Sequence, residues 1–263
     1  MAEAPRVNFI IAGVQKGGTT ALFDYLSDMD DVALSRVKET HFFDDDARDW
    51  AAPDYGPYHA LFDDPAGGPG PDPKGPSRPC GEATPIYLYW PNCLERICAY
   101  NPAMRLIVLL RDPVERAWSQ WRMEHVRGHD PHPFAWCIRQ GRMRLFEDAT
   151  PDRPWGAHRE FSYVERGFYG EQLERLFRLF PRDQVLVLRS EALRDDPFAT
   201  LSAVRAFLGL PAARRLPAAR EVFVGPRLED AALTAEDAAF LRALYARDQA
   251  RLAAVAGDGA AGR

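Results

Sequence analysis

The sequence contains no long hydrophobic run. No apolar stretch reaches the roughly 18 residues that a membrane-spanning helix needs. The short apolar run near the N-terminus leads straight into a glycine-rich loop rather than into a signal-peptide cleavage site. We therefore expect a soluble, cytoplasmic protein with no membrane partner.

Cysteine is scarce, and metal-binding spacings are missing. The 263 residues include four cysteines and six histidines, with no C-x-x-C pair and no H-E-x-x-H motif. The four cysteines are Cys80, Cys93, Cys98 and Cys137. We predict unpaired, reduced thiols and no metal site.

An excess of basic charge is also absent. Lysine and arginine total 33 against 38 acidic residues, for a formal net charge of −5. Proteins that bind nucleic acid are normally basic, so no nucleic-acid partner is expected, and a strongly anionic polymer is disfavoured as a substrate. A hydrophobic content of 46% over this length suffices for one globular α/β domain, which we predict to cover residues 1–263.

The most informative segment lies near the N-terminus. The apolar run Val7–Ala12 predicts a strand, Gly13 ends it, and apolar residues with helical spacing begin at Leu22. The loop between them carries a lysine, two glycines and two threonines: Lys16, Gly17, Gly18, Thr19 and Thr20. A strand, a glycine loop and a helix N-terminus together aim backbone N–H groups at an anion.

This loop is similar to a P-loop but departs from it. Gly13 and Gly18 occupy the two glycine positions of G-x-x-x-x-G-K-[ST], whereas Thr19 stands where the lysine belongs. The lysine, Lys16, lies inside the loop instead. An ordinary strand-to-helix turn would explain the glycines but needs neither the lysine nor the threonines, so we favour an anion site.

A second anion site is indicated further along the chain. Leu106–Leu110 is a continuous apolar run typical of a buried parallel strand, and Arg111 follows it. Asp112 and Pro113 then suit the N-cap and first position of a helix on which Ser119 lies about two turns in. A guanidinium and a hydroxyl so placed can bind one phosphate, although an arginine at a helix start is more often structural.

The order of strands and helices predicts an α/β fold with a P-loop-like central parallel sheet and helices on both faces. Gly13, Glu39 and Arg111 each follow a strand-like segment, so one cleft at the carboxyl ends of the strands can collect them. The proline- and glycine-rich residues 63–79 predict a flexible loop, and residues 257–263 a frayed tail.

Four segments carry a family resemblance in order and spacing. They are Gly13–Leu22, Lys38–Phe43, Gly81–Leu88 and Leu106–Trp121. They resemble the sulfotransferases that use PAPS (3'-phosphoadenosine 5'-phosphosulfate), most closely the branch with the heparan sulfate sulfotransferases and their bacterial relatives. The resemblance runs from about Val7 to Leu210.

The resemblance implies PAPS as co-substrate, PAP (3'-phosphoadenosine 5'-phosphate) as product, and no metal. The residues implied at the 5'-phosphosulfate are Gln15, Lys16, Gly17, Gly18, Thr19 and Thr20. Those implied at the 3'-phosphate are Arg111 and Ser119. Arg166 and Arg227 are looser matches near the nucleotide, and Arg220 is a rival to Arg227.

The resemblance also implies the chemistry. Glu39 is the candidate base that takes the acceptor proton, His41 orients or assists it, and Lys16 neutralises charge on the leaving phosphate. A solvated loop carboxylate at Glu39 and a packed structural histidine at His41 are the alternatives. The reaction would be an in-line displacement that depends mainly on positioning and charge.

The acceptor is less well indicated. Some heparan sulfate enzymes carry a catalytic-site lysine where Ala83 stands, so a small molecule or modest glycan is expected, with a hydroxyl or amine as nucleophile. Glu82, Thr84, Pro85 and Tyr87 are candidates to line the acceptor side, and residues 122–161 form the expected acceptor-specificity region. The alternatives are a P-loop small-metabolite kinase using ATP and magnesium, and a nucleotide-binding module without turnover. The sequence predicts no oligomeric state.

Overall fold

The computed structural model describes residues 6–63, 78–147, 156–212, 217–218, 220 and 232–256. The chain divides into two compact units. The first unit comprises Met1–Leu110 and Glu174–Phe223, and the second comprises Arg111–Leu173 and Val224–Arg263. Most of the loop predicted at 63–79 and the whole tail predicted at 257–263 lie outside the described residues, and the single-domain boundary stays a prediction.

A parallel sheet of five strands, in the order β2-β3-β1-β4-β5, forms the centre of the first unit. The strands are β1 (Phe9–Gly13), β2 (Ala33–Leu34), β3 (Cys80–Ala83), β4 (Arg105–Leu110) and β5 (Val185–Arg189). This confirms the predicted α/β fold class and its parallel central sheet.

The helices connect and flank these strands. They are α1 (Thr19–Ser27), α2 (Gly56–His59), α3 (Cys93–Tyr100), α4 (Pro113–Val126), α5 (Phe134–Cys137), α6 (Gly156–Phe161), α7 (Tyr169–Leu179), α8 (Ser190–Asp195), α9 (Pro197–Phe207) and α10 (Ala235–Ala256). Short 3-10 helices occupy Gln140–Phe146, Glu165–Gly167 and Arg182–Gln184.

The sheet is buried on both faces, as the continuous apolar runs predict. Phe9 and Ile11 of β1 pack in one apolar cluster with residues of α1 and α9. Side chains alternate along a strand, so Ile10 and its neighbours Leu106 and Val108 point to the opposite face, where they are equally inaccessible to solvent. Burial on both faces anchors the strands and leaves their ends free to carry loops.

The strand register brings three carboxyl ends to one edge. Ile11 pairs with Ala83 of β3, and Gly13 pairs with Val108 of β4. The chain therefore leaves β1 within about two residues of the level at which β3 ends. We call this side of the sheet the carboxyl edge.

The second unit has its own apolar core. Residues of α4, including Trp118 and Trp121, cluster with Leu241 and Tyr245 of α10. The predicted cap of α4 is confirmed, since Asp112 Oδ1 accepts hydrogen bonds from the backbone N–H groups of the second and third helical residues, each at 2.9 Å.

The predicted unpaired thiols are confirmed. All four cysteines are free, with Cys80, Cys93 and Cys137 buried and Cys98 half-buried. Burial raises the pKa of the Cys93 thiol and raises the pKa of Cys137 to about 12.

In the part of the chain that the structure describes, no helix has both the length and the apolar character needed to cross a membrane.

The contact between β1 and β3 predicts a stability defect. A methyl group at Gly81 would lie 2.5 Å from the ring of Phe9, its buried register partner. We expect Gly81→Ala to lower the free energy of unfolding by about 1–3 kcal/mol, measured by urea denaturation. Gly56→Ala is the control, because its new methyl would meet only the carboxylate of Asp54, which can move. Equal stability of the two variants would contradict the prediction.

Candidate active site

The glycine loop lies directly against β4. The backbone N–H of Val14 donates to Leu109 O at 3.0 Å, and that of Gly17 donates to Val14 O at 2.9 Å. A Cβ at Gly17 would stand 2.5 Å from the same Leu109 oxygen. Glycine is therefore required at this position by the close approach of two backbones.

The loop ends on the N-terminus of α1. Gly18 is the N-cap with φ 92°, a left-handed conformation that suits glycine. The N–H groups of the first helical turn have no acceptor within the helix, so they can bind an anion. Thr19 is buried, Thr20 is exposed, and Lys16 is half-buried just before them.

A hydroxyl that sequence reasoning missed lies beside this loop. A Cβ built on Gly18 would be 3.2 Å from Oγ of Ser190, the first residue of α8 after β5. A serine after a strand is common, so the sequence carries no distinctive signal for it. Its position makes Ser190 a further donor next to the anion-binding geometry.

Glu39 and His41 lie at the same carboxyl edge as the glycine loop. The N–H of Glu39 donates to Ala83 O at 2.9 Å, and Ala83 pairs with Ile11, two residues before the loop leaves β1. Glu39 Oε2 lies 3.6 Å from His41 Nε2, and Lys38 Nζ contacts Oε1. The structure thus brings together two of the elements that the sequence places at one edge, the glycine loop and the Glu39 segment.

A buried carboxylate orients His41. Asp44 Oδ2 lies 2.9 Å from His41 Nδ1, and the Asp44 side chain is inaccessible to solvent. With Nδ1–H donating to Asp44, the other ring nitrogen, Nε2, faces Glu39. The His41 side chain is 42% exposed, which argues against the packed structural histidine considered above. Sequence reasoning missed Asp44, although its i,i+3 spacing from His41 was visible.

A second buried carboxylate, Glu82, contacts the segment that carries Glu39 and His41. Glu82 is fully buried and accepts hydrogen bonds from the hydroxyls of Thr84 at 2.5 Å, Thr40 at 3.0 Å and Tyr58 at 3.2 Å. Burial raises the pKa of Glu82, and these hydrogen bonds oppose that shift. Glu82, Thr84 and Tyr87 are each 0% exposed and Pro85 is also buried, so the expectation that these residues line an acceptor surface is wrong.

The predicted 3'-phosphate residues belong to the second unit. Arg111 follows the last residue of β4, and its guanidinium lies 3.5 Å from the Glu115 carboxylate. Ser119 is buried on α4, 6% exposed. Arg111 directly precedes the N-cap of α4 and Ser119 is the seventh residue of that helix. Their role in phosphate binding stays a prediction.

Arg166 is buried rather than exposed, at 3%. Its Nε donates to Ser162 Oγ at 2.8 Å, and Nη2 contacts Arg159 O. These contacts satisfy donors of the guanidinium locally. They are sufficient to explain an arginine here, and the looser family match to a nucleotide contact stays a prediction.

Of the two late basic candidates, Arg220 and Arg227, the structure describes only Arg220. Arg220 Nη1 pairs with Asp28 at 2.6 Å, and Nε donates to Asp24 at 2.8 Å. Two carboxylates thus match its charge, which favours a role in fastening the chain to α1 over phosphate binding. Arg227 lies outside the described residues.

The predicted acceptor-specificity region, 122–161, is described except for 148–155. Within this region, Asp130 is fully buried. Its carboxylate accepts a hydrogen bond from Tyr163 OH at 2.8 Å and forms an ion pair with Arg144. The pKa of Asp130 is lowered, because these hydrogen bonds outweigh burial, which acts in the opposite direction. Across the described ranges, no three His, Cys, Asp or Glu side chains group as a metal site requires.

The comparisons with known proteins agree with one another. The family model described as "Sulfotransferase domain" matches residues 94–222. The human heparan sulfate glucosamine 3-O-sulfotransferase 3B1 is 32% identical over 76% of this chain and 45% of its own length. The membrane-associated sulfotransferase kil1 of Dictyostelium discoideum is 25% identical over 77% of this chain and 56% of its own.

A solved structure extends the similarity over nearly the whole chain. The crystal structure of a sulfotransferase from Alicyclobacillus acidocaldarius superimposes with a TM-score of 0.76 and 26% identity, covering 95% of this chain and 96% of that one. The chain spans about half the length of the curated relatives it matches.

Buried Glu82 predicts a pH-dependent stability difference. Its raised pKa means that the folded protein binds the proton more tightly than the unfolded chain, so its favourable contribution is present at low pH and lost as the pH rises. We expect the wild-type protein to exceed the Glu82→Gln variant in free energy of unfolding by the largest amount near about pH 4. This difference should become smaller by about pH 7.

Urea denaturation at several pH values measures this difference. Glu95→Gln is the control, because Glu95 is an exposed carboxylate on α3 in the same unit. A difference that grows as the pH rises would contradict the assignment of a raised pKa.

Proposed function

Because this chain belongs to the sulfotransferase family, we propose that it transfers a sulfonate group from PAPS to a hydroxyl or amine and releases PAP. The observation that carries the proposal is the common carboxyl edge. There, a glycine loop suited to an anion leaves β1, and the segment with the Glu39–His41 pair, which follows β2, is hydrogen-bonded to the end of β3, the neighbour of β1. The reaction needs donor binding and proton removal, and the residues proposed for both functions are positioned by the same edge of the sheet.

The glycine loop supplies the donor site. The loop Gln15–Thr20 offers first-turn N–H groups, hydroxyls and an ammonium to the 5'-phosphosulfate. Lys16 neutralises the charge that develops on the phosphate oxygen as the sulfonate departs. Arg111 and Ser119 are proposed for the 3'-phosphate, with Arg166 and Arg227 as lesser candidates.

The reaction is proposed as an in-line displacement. The acceptor oxygen or nitrogen forms a bond to sulfur, while the bond from sulfur to the 5'-phosphate oxygen breaks and its electron pair stays on PAP. Glu39 takes the acceptor proton. His41, held by Asp44 through Nδ1, lies with Nε2 3.6 Å from Glu39 Oε2 and is proposed to assist the base from that side. No step calls for a metal ion or for a covalent enzyme intermediate.

The kinase alternative has no observation in its favour. Thr19 occupies the P-loop lysine position, and the family match is to sulfotransferases. A binding module without turnover does not account for an oriented histidine next to a carboxylate at the edge that carries the loop.

We propose a small molecule or modest glycan as acceptor. Several relatives are named for heparan sulfate, a polyanion. In this chain, Ala83 is buried in the apolar cluster of the first unit, and the net charge is −5. Both features favour a less anionic acceptor, and a cytoplasmic location stays a prediction of the sequence.

The donor proposal predicts stabilisation by PAP. A ligand that binds only the folded state raises its stability, so PAP at about 100-fold over its dissociation constant should raise the Tm by about 5 °C. Differential scanning fluorimetry with EDTA present measures the shift. Lys16→Ala should reduce it, and ATP with magnesium serves as the competing ligand. A shift with ATP and magnesium but none with PAP would favour the kinase instead.

The assignment of the base predicts a loss of turnover without a loss of donor binding. Glu39→Gln keeps the shape of the side chain but cannot accept the proton, so kcat should fall by about 10²–10⁴ while the PAP-induced Tm shift is retained. Transfer of labelled sulfonate from PAPS to a panel of alcohols, phenols, amines and sugars measures turnover. Glu95→Gln is the matched exposed control, and full activity of Glu39→Gln would remove Glu39 from this role.

A further inference from the structure

We propose that Thr40 is a positioning residue that fixes the geometry of Glu39 and His41 through a hydrogen-bonded chain ending on the buried carboxylate of Glu82. This inference deepens the proposed function and rests on it. The sequence marks Thr40 only as the residue between two candidate catalytic side chains.

The backbone on both sides of Thr40 is unusual. Glu39 has φ 64° and His41 has φ 52°, so two non-glycine residues adopt the left-handed conformation within three positions. Such conformations are unfavourable for L-residues and persist only where surrounding contacts hold them. The contacts that hold this segment therefore also set where the Glu39 and His41 side chains point.

The contacts that hold this segment are successive hydrogen bonds that run from backbone N–H groups through Tyr87 and Thr40 to Glu82. The backbone N–H groups of Phe42 and Phe43 donate to Tyr87 OH at 3.0 and 3.3 Å. Tyr87 OH and Thr40 Oγ1 are also hydrogen-bonded to each other at 3.0 Å. Because the two backbone N–H groups occupy acceptor positions of the Tyr87 oxygen, we assign the phenol as the donor in this pair. The Thr40 hydroxyl then donates to Glu82 Oε1, also at 3.0 Å.

Glu82 is suited to end such a chain. An ionised carboxylate only accepts hydrogen bonds, and here it receives three hydroxyls at once. It is fully buried, so water does not compete for its oxygens and no acceptor molecule can reach it. Glu82 is therefore a buried support for the segment, which it contacts directly through the Thr40 hydroxyl, and it is not itself a base for the substrate.

These hydrogen bonds connect the segment around Thr40 to the central sheet. Glu82 belongs to β3, in the interior of the sheet between β2 and β1, and Tyr87 follows closely after that strand. The ring of Phe42 stacks on Tyr58 and the ring of Phe43 meets Tyr58 edge to face. Tyr58 donates to the same Glu82 oxygen. Thr40 is thus the point at which the strained segment is joined to the sheet by side-chain hydrogen bonds.

The test compares Thr40→Val, which removes the hydroxyl at nearly constant shape, with Thr40→Ser, which retains it. We expect kcat to fall at least about tenfold in Thr40→Val and to stay within about twofold of wild type in Thr40→Ser. The affinity for PAP should change less than about twofold in both variants, because the glycine loop is untouched.

Thr200→Val is the matched control. Thr200 is a buried threonine of the same unit, on α9, whose hydroxyl donates to Asp196 O at 3.1 Å. Its loss should lower the Tm about as much as Thr40→Val does while leaving kcat unchanged. Wild-type kcat in Thr40→Val, or an equal loss of kcat in Thr200→Val, would overturn the proposal.

A second readout separates this proposal from the proposed function. Native-state hydrogen exchange of the Phe42 and Phe43 amides reports on their bonds to Tyr87 without any substrate. Faster exchange in Thr40→Val but not in Thr40→Ser supports the hydrogen-bonded chain even if no sulfonate transfer is found. Unchanged exchange in Thr40→Val refutes the chain whatever the outcome of the PAPS assays.

Discussion

The register of β1 between β3 and β4 is the constraint from which the candidate site follows. Ile11 lies opposite Ala83, and Gly13 lies opposite Val108, so the loops after β1 and β3 begin at nearly the same level. The glycine loop is pressed on β4 through the Leu109 carbonyl, and the Glu39 segment is fixed to the Ala83 carbonyl. A slip of one residue in either pairing would change the level at which one of these loops leaves the sheet and would turn the buried side chains of that strand to the other face.

The site combines exposed chemistry with buried support. Glu39 and His41 are each more than one-third accessible, whereas Asp44 and Glu82, the carboxylates behind them, are inaccessible. A polar group in the interior is stable only where its hydrogen bonds are made, which fixes its neighbours in one arrangement. The two buried carboxylates therefore have fixed positions, and their hydrogen bonds restrict the conformations of the exposed segment that carries Glu39 and His41.

Much of this arrangement could be predicted from the sequence because it depends on local signals. Apolar runs located β1 and β4, Asp112 marked the start of α4, and the glycines marked the loop. The rest depends on contacts between distant segments. Thr40, Glu82 and Tyr58 lie far apart in the chain, and their meeting follows from strand order rather than from any pattern. For the same reason Ser190 could not be linked to Gly18, and the buried state of Tyr87 was missed.

The free cysteines give each unit a chemical reporter of its own. Cys80 and Cys93 are shielded in the first unit and Cys137 in the second, while Cys98 alone is half-buried. Thiol reagents attack the thiolate, so Cys93 and Cys137, whose pKa is raised by burial, react only after the surrounding structure opens. The order in which alkylation reaches these sulfurs under mild denaturant therefore records which unit loosens first, without an introduced label.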